Sequence, residues 1–269
     1  MQGGFFMFKN KKHRIIISVV LVFTVAVGIL FGMKLRDRIR NEALSDVSAK
    51  TIMTVEAFAR QNSLDLEDYP VELLELLSRN PETKDFVLSY PLEKDRENEI
   101  DLSEFEASKT VPLFLQWDKR WGYEEYGSSV AGLTACGPVC LSMCAYYLTG
   151  NEDMSPDNII EFAKENGYCT NGSGSLWTLI SEGGEELGLD VEELPLVKKK
   201  IVDNLENGNP VICVMGEGHF TTTGHFIVLT GVENGEFTVN DPNSIANSEK
   251  TWSYEEICDE IKNLWAISL

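Results

Sequence analysis

The stretch TACGPVCLSMCAYYL, residues 134–148, does most to decide the fold. It is almost entirely apolar, and Pro138 lies near its start, where the first turn of a helix tolerates proline well. Gly150 follows it, and glycine is the residue that most often ends a helix. The stretch therefore predicts a buried helix from Cys136 to Leu148, with Cys136 at or beside the N-cap.

Cys136 is thereby predicted to lie where free backbone N–H groups and the positive end of the helix dipole meet. A thiol in that position ionises more readily than an ordinary cysteine, and the thiolate is the attacking species. The same N–H groups could bind the oxyanion of an acyl intermediate. From this stretch alone, a structural cysteine and a nucleophile are equally good interpretations.

His225 begins the second informative stretch, GHFIVLTG, residues 224–231. The apolar run predicts a buried strand, in which a histidine is either a hydrogen-bonded core residue or a general base. His219 is a rival base in the polar, glycine-flanked segment 216–224, which could fold over a cleft as a lid. We favour His225 because a strand holds a catalytic ring more firmly than a loop does.

Asp241 follows the next predicted strand, Glu236–Asn240, and could orient a ring nitrogen of His225. A two-residue turn between the strands would pair Glu233 with Glu236 and set Asp241 on the wrong face. A three-residue loop with a left-handed glycine would pair Val232 with Glu236 and bring Asp241 to the face of His225. We predict the three-residue loop, because only that register assembles a triad.

Gln116 is the fourth candidate. A side-chain amide upstream of a nucleophile could donate the second hydrogen bond to an oxyanion. A surface glutamine beside Trp117 is an equally good interpretation.

The remaining elements are predicted from periodicity and from proline and glycine positions. Helices are predicted at residues 71–79, 83–88, 155–167, 176–187 and 253–262, and strands at 111–117, 210–215 and 264–268. Helices followed by antiparallel strands indicate an α+β domain over residues 110–269. The charged stretch 93–109 is typical of a linker or a solvated surface strip.

Residues 15–33, IIISVVLVFTVAVGILFGM, contain no charged residue. At about 1.5 Å per residue the stretch nearly crosses a hydrocarbon core of roughly 30 Å. No small-residue cleavage site follows it, so we predict an uncleaved transmembrane signal-anchor. Basic residues flank both of its ends almost equally, so charge leaves its orientation open. The predicted organisation is a tail (1–14), the anchor (15–33), a helical stalk and linker (34–109) and the catalytic domain (110–269).

The formal net charge is −20, and residues 43–269 carry 15 basic and 41 acidic groups, a net charge of −26. Residues 43–269 are therefore repelled by the phosphates of nucleic acids, which argues against nucleic acid as a partner.

Six cysteines would allow three disulfides in an exported protein. Cys136, Cys140 and Cys144 are spaced by four, however, and would form one helical stripe that is unsuited to bridging. We interpret Cys140 and Cys144 as small core residues. A metal cluster is the less favoured alternative, because the chain has three histidines and no C-x-x-C pair. No metal or organic cofactor is expected.

Four motifs occur in the order found in a known family: QWDxxWG at residues 116–122, ACGPxCLSM at 135–143, GHFIVL at 224–229 and NDPN at 240–243. They resemble the stand-alone relatives of the bacteriocin-leader cysteine peptidases, the enzymes that remove double-glycine leaders. Residues 69–91 also resemble an upstream helical piece of exported members from Gram-positive bacteria.

The resemblance implies a papain-like cysteine peptidase fold, with Cys136 as nucleophile, His225 as base, Asp241 as orienter and Gln116 in the oxyanion hole. It also favours an N-terminus inside the cell and a catalytic domain outside it. Two features depart from the transporter-fused members. Gln116 lies 20 residues before Cys136 instead of a few residues before it. The chain also contains no transporter domain, which removes the usual reason to expect a double-glycine leader as substrate.

We therefore expect a single-pass, membrane-anchored extracellular peptidase that acts on a peptide or protein substrate through a Cys-His-Asp triad. A cell-wall amidase or transpeptidase with the same triad is one alternative. A catalytically inactive peptide-binding module is the other.

Overall fold

The structure, a computed structural model, describes residues 42, 44–96, 100–105, 109–170, 172 and 174–269. The predicted tail and membrane anchor at residues 1–33 lie outside the described residues. Among the residues that are described, no helix combines the length and apolar character needed to cross a membrane. Residues Thr51–Leu269 form one compact unit, which contains all four candidate site residues.

Three helices precede the predicted catalytic domain: α1 (Ala49–Gln61), α2 (Val71–Arg79) and α3 (Lys84–Glu93). Helix α2 has the bounds that the sequence predicted, and four of its leucines are buried. Helix α3 is longer than predicted, because it continues through Pro91. A proline removes only one helical N–H, and the helix ends two residues later with Lys94 N–H bonded to the Tyr90 carbonyl.

The segment that leads into the catalytic domain packs against the core. Leu102 is buried, and Phe105 lies edge-on to Phe114 with ring centroids 4.9 Å apart. The strand predicted at residues 111–117 does not form. Pro112 has no N–H for a ladder, and the Asn240 side-chain amide donates to the carbonyl oxygens of residues 111 and 112 at 3.1 and 2.8 Å.

The central helix α5 (Cys136–Thr149) follows a small hairpin and one helical turn: β1 (Glu125–Tyr126), β2 (Ser129–Val130) and α4 (Ala131–Thr134). Residues 137–146 of α5 are all buried, and Gly150 ends the helix with φ 64°. The predicted helix is therefore confirmed. Helix α6 (Pro156–Glu165) packs beside it, and a π-helical turn at Leu179–Gly183 continues into α7 (Gly184–Glu186).

One six-stranded antiparallel sheet organises the rest of the chain, in the order β3-β8-β4-β5-β6-β7. Its strands are β3 (Asp190–Glu193), β4 (Val211–Met215), β5 (His225–Glu233), β6 (Glu236–Asn240), β7 (Thr251–Trp252) and β8 (Ile261–Ser268). The sequence predicted β4, β5 and β6 closely. It missed the polar edge strand β3 and the helix α8 (Lys198–Glu206).

The helix predicted at residues 253–262 is wrong in length. Only one turn forms there, α10 (Tyr254–Ile257), with a capping box between Ser253 and Glu256. Strand β8 already pairs with β4 at Ile261, opposite Met215. Pairing with a central strand therefore ends the helix earlier than its local pattern suggests.

Alternate residues of the central strands face two separate cores. Ile212 and Val228 belong to the core that contains α5, whereas Val211 and Leu229 belong to the core that contains Ile201 of α8. The predicted α+β class, with an antiparallel sheet, is confirmed.

The β5–β6 hairpin corrects the predicted register. A two-residue turn joins the strands, with Glu233 paired to Glu236 and positive φ at Asn234 (52°) and Gly235 (86°). The three-residue loop is therefore wrong. A bulge between Leu229 and Gly231 inserts one extra residue into β5, however, so that beyond it Val228 pairs with Asn240.

Candidate active site

Cys136 is the first residue of α5 and is half-buried. Its thiol and the imidazole of His225 line the same cleft, and each shifts the pKa of the other through charge and hydrogen bonding. The structure therefore brings together two side chains that are 89 positions apart in the sequence. Burial by itself would raise the pKa of the Cys136 thiol. The hydrogen bond and the charge of His225, with the N–H groups of Phe226 and Gly137, outweigh burial and lower that pKa below its usual value.

His225 is buried at the start of β5, and its Nε2 lies 2.7 Å from Asp241 Oδ1. A carboxylate accepts hydrogen bonds, so this contact places the proton on Nε2 and leaves Nδ1 for the sulfur of Cys136. Burial alone would lower the pKa of His225. The charge and hydrogen bond of Asp241, together with Cys136, raise it instead. The opposite shifts of the two groups favour a thiolate–imidazolium pair.

Asp241 is only 1 % exposed and both of its carboxylate oxygens are bonded. Oδ1 also accepts from the Asn243 N–H at 2.9 Å, and Oδ2 accepts from the Asn247 amide at 2.8 Å. The Asp241 N–H donates to the Ser248 hydroxyl at 2.9 Å. Asn247 and Ser248 were not predicted as site residues, because nothing in their local pattern distinguishes them from an ordinary polar turn.

The β5 bulge explains how Asp241 reaches His225. If the Val228–Asn240 pairing continues by one residue, Asp241 lies beside Ile227, diagonal to His225. That is the arrangement the sequence predicted, although it attributed the shift to the turn. The extra residue lies in the middle of β5 instead.

Gln116 is buried, and its backbone N–H donates to the Pro242 carbonyl at 2.8 Å, so the backbone lies beside the loop that contains Asp241. Its side-chain Nε2 donates to the Gly132 carbonyl at 2.9 Å. An amide nitrogen carries two N–H bonds, so one remains for another acceptor. The Gln116 Oε1 atom is buried without a hydrogen-bond partner.

All four candidate residues line one open cleft of about 630 Å³. Leu76, Arg79 and Asn80 at the end of α2 line the same cleft, as do residues 218–224 of the β4–β5 loop. His219 lies on that loop, where its Nδ1 is hydrogen bonded to Glu260 and its ring packs against Trp252 at 5.3 Å. His219, the rival base, is therefore hydrogen bonded to Glu260 and not to Asp241.

The other cysteines of the helical stripe are structural. Cys140 and Cys144 are fully buried, and burial raises the pKa of both thiols. All six cysteines are free. Within the described ranges, no group of three or more His, Cys, Asp or Glu side chains is arranged to hold a metal ion.

Comparisons with known proteins identify the family to which the chain belongs. No curated protein matches it. The peptidase domain of Streptococcus ComA, a bi-functional ABC transporter involved in a quorum-sensing pathway, is 23% identical with a TM-score of 0.38; the match covers 49% of this chain and 90% of that domain. A C39-like peptidase from Bacillus anthracis is 12% identical with a TM-score of 0.40, over 59% of this chain and 94% of that one.

The model of the family described as the Peptidase_C39 like family matches residues 108–268. This match spans more than half of the chain and includes all four candidate residues. The chain therefore belongs to the Peptidase_C39 like family.

Proposed function

We propose that this chain is a cysteine peptidase that hydrolyses peptide bonds through a triad of Cys136, His225 and Asp241. Membership of a peptidase family supports cysteine peptidase activity in general. The observation that carries the specific proposal is the position of the His225 ring, which bonds to the Asp241 carboxylate and lines the same cleft as the Cys136 thiol. The pKa shifts of the thiol and the imidazole have the signs that an ion pair requires.

In the proposed reaction, the Cys136 thiolate attacks the carbonyl carbon of the scissile bond, and its electron pair forms a C–S bond. The imidazolium of His225 then gives its proton to the leaving amine, which departs as the C–N bond breaks. In the second half, His225 takes a proton from a water molecule that attacks the thioester, and Cys136 is released. Asp241 keeps the imidazole in the productive tautomer throughout.

The oxyanion of each tetrahedral intermediate needs donors that already point at its position. The first N–H groups of α5 and the second N–H of Gln116 are the donors that the cleft offers. The Gln116 side-chain amide bonds to the Gly132 carbonyl, and the Gln116 backbone N–H bonds to the Pro242 carbonyl. The side-chain amide is therefore fixed before substrate binds. Such donors cost little reorganisation during the reaction.

The test is the pH dependence of Cys136 alkylation by iodoacetamide, read by mass spectrometry at each cysteine. We expect Cys136 to react faster at neutral pH than the half-buried Cys258, which is an internal control. His225→Ala should remove this advantage, because the imidazolium that lowers the thiol pKa is lost. A slow Cys136 that His225→Ala leaves unchanged would favour an inactive binding module.

Comparison of cell-surface peptides from a Cys136→Ser strain and its parent then tests the reaction class. Peptides that disappear in the variant would support a peptidase. A changed pattern of cell-wall cross-links with an unchanged peptide pool would support the amidase or transpeptidase alternative, which uses the same triad.

We further propose that residues 15–33 anchor the chain in the cell membrane and that the catalytic part lies outside the cell. The uncharged stretch and its basic flanks motivate this proposal. Protease added to intact cells should degrade the part after residue 33, and in untreated cells the whole chain should be recovered in the membrane fraction. Protection of that part, or recovery of the chain in the soluble fraction, would contradict the proposal.

A further inference from the structure

The turn between α2 and α3 contacts the loop that follows Asp241. Asn80 donates from Nδ2 to the Asn243 carbonyl at 2.6 Å. The Glu82 carboxylate accepts from the Ile245 N–H at 2.8 Å and from the Ala246 N–H at 3.0 Å. These contacts join residues about 160 positions apart, and the turn lies outside the matched residues 108–268.

Glu82 is itself held in place. Its N–H donates to the Asn80 side-chain oxygen at 3.0 Å, and Pro81 fixes the backbone between the two residues. The partly buried carboxylate therefore meets the loop from a rigid turn. Hydrogen bonds to a charged acceptor are stronger than those between neutral groups. The two bonds to Glu82 should therefore hold the loop more firmly than neutral hydrogen bonds would.

The two amides that Glu82 binds begin the short helix α9 (Ile245–Ser248). A single helical turn has almost no stability of its own, so its geometry depends on such external contacts. Helix α9 carries Asn247, whose amide donates to the Asp241 carboxylate, and Ser248, whose hydroxyl accepts from the Asp241 N–H. Hydrogen bonds at both ends of α9, joined by its backbone, thus connect Glu82 to Asp241 and His225.

We propose that Glu82 and Asn80 are positioning residues for the active site. Glu82 acts through α9, and Asn80 acts through Asn243, whose N–H donates to Asp241; both affect the orientation and charge state of the Asp241–His225 pair. The inference rests on the proposed function of that pair. It means that a segment upstream of the family's matched residues completes the site. Leu76 and Arg79, which precede this turn, line the cleft, so the same segment also forms part of the substrate-facing wall.

The experiment uses the full chain and compares Glu82→Gln and Asn80→Asp with Asp85→Asn. The last variant makes the same charge change as Glu82→Gln at an exposed carboxylate three residues further on. Asn80→Asp keeps an acceptor for the Glu82 N–H, removes the donor to Asn243 and adds one negative charge. It therefore carries the test if the Glu82 variant does not fold.

The readout is the pH profile of Cys136 alkylation, with thermal unfolding measured alongside. We expect Glu82→Gln and Asn80→Asp to slow alkylation at neutral pH by about three- to tenfold and to move the acid limb upward by roughly half a pH unit or more. Asp85→Asn should match the parent. A purely structural role would lower the unfolding temperature and leave the profile where it is, and that result would overturn the inference.

A double-mutant cycle tests the route. If Glu82 acts through α9, Glu82→Gln should have little further effect on the profile of an Asn247→Ala chain. Full additivity would contradict the route. If the parent shows no alkylation that depends on His225, the proposed function itself fails. If alkylation of the parent does depend on His225, but the Glu82 and Asn80 variants behave like Asp85→Asn, only the positioning inference fails.

Discussion

Asp241 sets the charge state of the residues it touches. Its charge and hydrogen bond raise the pKa of His225, and the imidazolium in turn lowers the pKa of Cys136. The ion pair is therefore populated between the lowered pKa of the thiol and the raised pKa of the imidazole. It is lost by protonation of the thiolate as pH falls, and by deprotonation of the ring as pH rises.

Asp241→Asn should reduce peptide hydrolysis by roughly 10²–10⁴-fold, because the ring loses its tautomer and its counter-charge. Without the carboxylate the pKa of His225 falls, the pKa of Cys136 rises, and the acid limb of alkylation moves to higher pH. Asp190→Asn, the same change on the far edge strand β3, should leave the profile unchanged. An unshifted limb in the Asp241 variant would contradict this assignment.

Gln116 should affect hydrolysis without affecting the thiol. Gln116→Ala removes one predicted oxyanion donor, which costs about 10²–10³-fold in kcat. Alkylation by iodoacetamide passes through no oxyanion, so its rate should change much less. Parallel losses in both reactions would mean that Gln116 only supports the cleft wall through Gly132 and Pro242.

At the scale of elements, the β5–β6 hairpin aligns His225 with Asp241 by combining a tight turn with a bulge. The turn has positive φ at both central residues, which matches the twist of the strands it joins. The bulge then shifts the pairing by one residue in the part of β5 nearest the cleft. The Thr230 and Thr238 hydroxyls, 2.9 Å apart, bond to each other at this position.

Gly235→Ala should destabilise the hairpin by about 1–2 kcal/mol, because a Cβ is unfavourable at φ 86°. Urea unfolding measures this loss. Gly224→Ala is the matched control, since its backbone is unstrained and its Cβ would meet open space. We expect that change to be near neutral or slightly stabilising. Equal effects of the two substitutions would contradict the turn geometry.

At the scale of the whole molecule, the upstream helices pack with the catalytic residues as one unit from Thr51 to Leu269. Phe86 of α3 stacks on Tyr123 with ring centroids 4.6 Å apart. Its ring also lies so close to Gly122 and Gly132 that a Cβ at either glycine would overlap it. Gly132 is the residue whose carbonyl holds Gln116, so the packing of α3 reaches the site directly.

Phe86→Ala should lower the free energy of unfolding of this unit by about 3–5 kcal/mol. All five tryptophans lie at position 117 or later, so their fluorescence reports only on the part that follows the upstream helices. The urea midpoint of tryptophan fluorescence should therefore fall in this variant. Leu92→Ala, at a half-exposed position of the same helix, should change it little. An unchanged midpoint in the Phe86 variant would show that the upstream helices unfold independently.

Local signals were sufficient for much of the fold. Pro138 and Gly150 bracket α5, the leucine spacing of α2 gives that helix its bounds, and apolar runs mark β4, β5 and β6. The candidate residues Cys136, His225, Asp241 and Gln116 were also identified from the sequence, and the structure places all four along one cleft. The helix and strand bounds depend on residues close together in the chain, so the sequence by itself determined them, whereas the common cleft brings distant residues together.

Features that depend on distant partners were decided by the tertiary structure. Strand β8 displaces most of the predicted helix after residue 253, because pairing with β4 is available only in the folded sheet. The bulge in β5, the Asn247 bond to Asp241 and the Glu82 contact with α9 likewise leave no trace in local pattern. Hydrogen bonds between residues as many as 164 positions apart form only after packing has brought them together, so no local pattern could predict them.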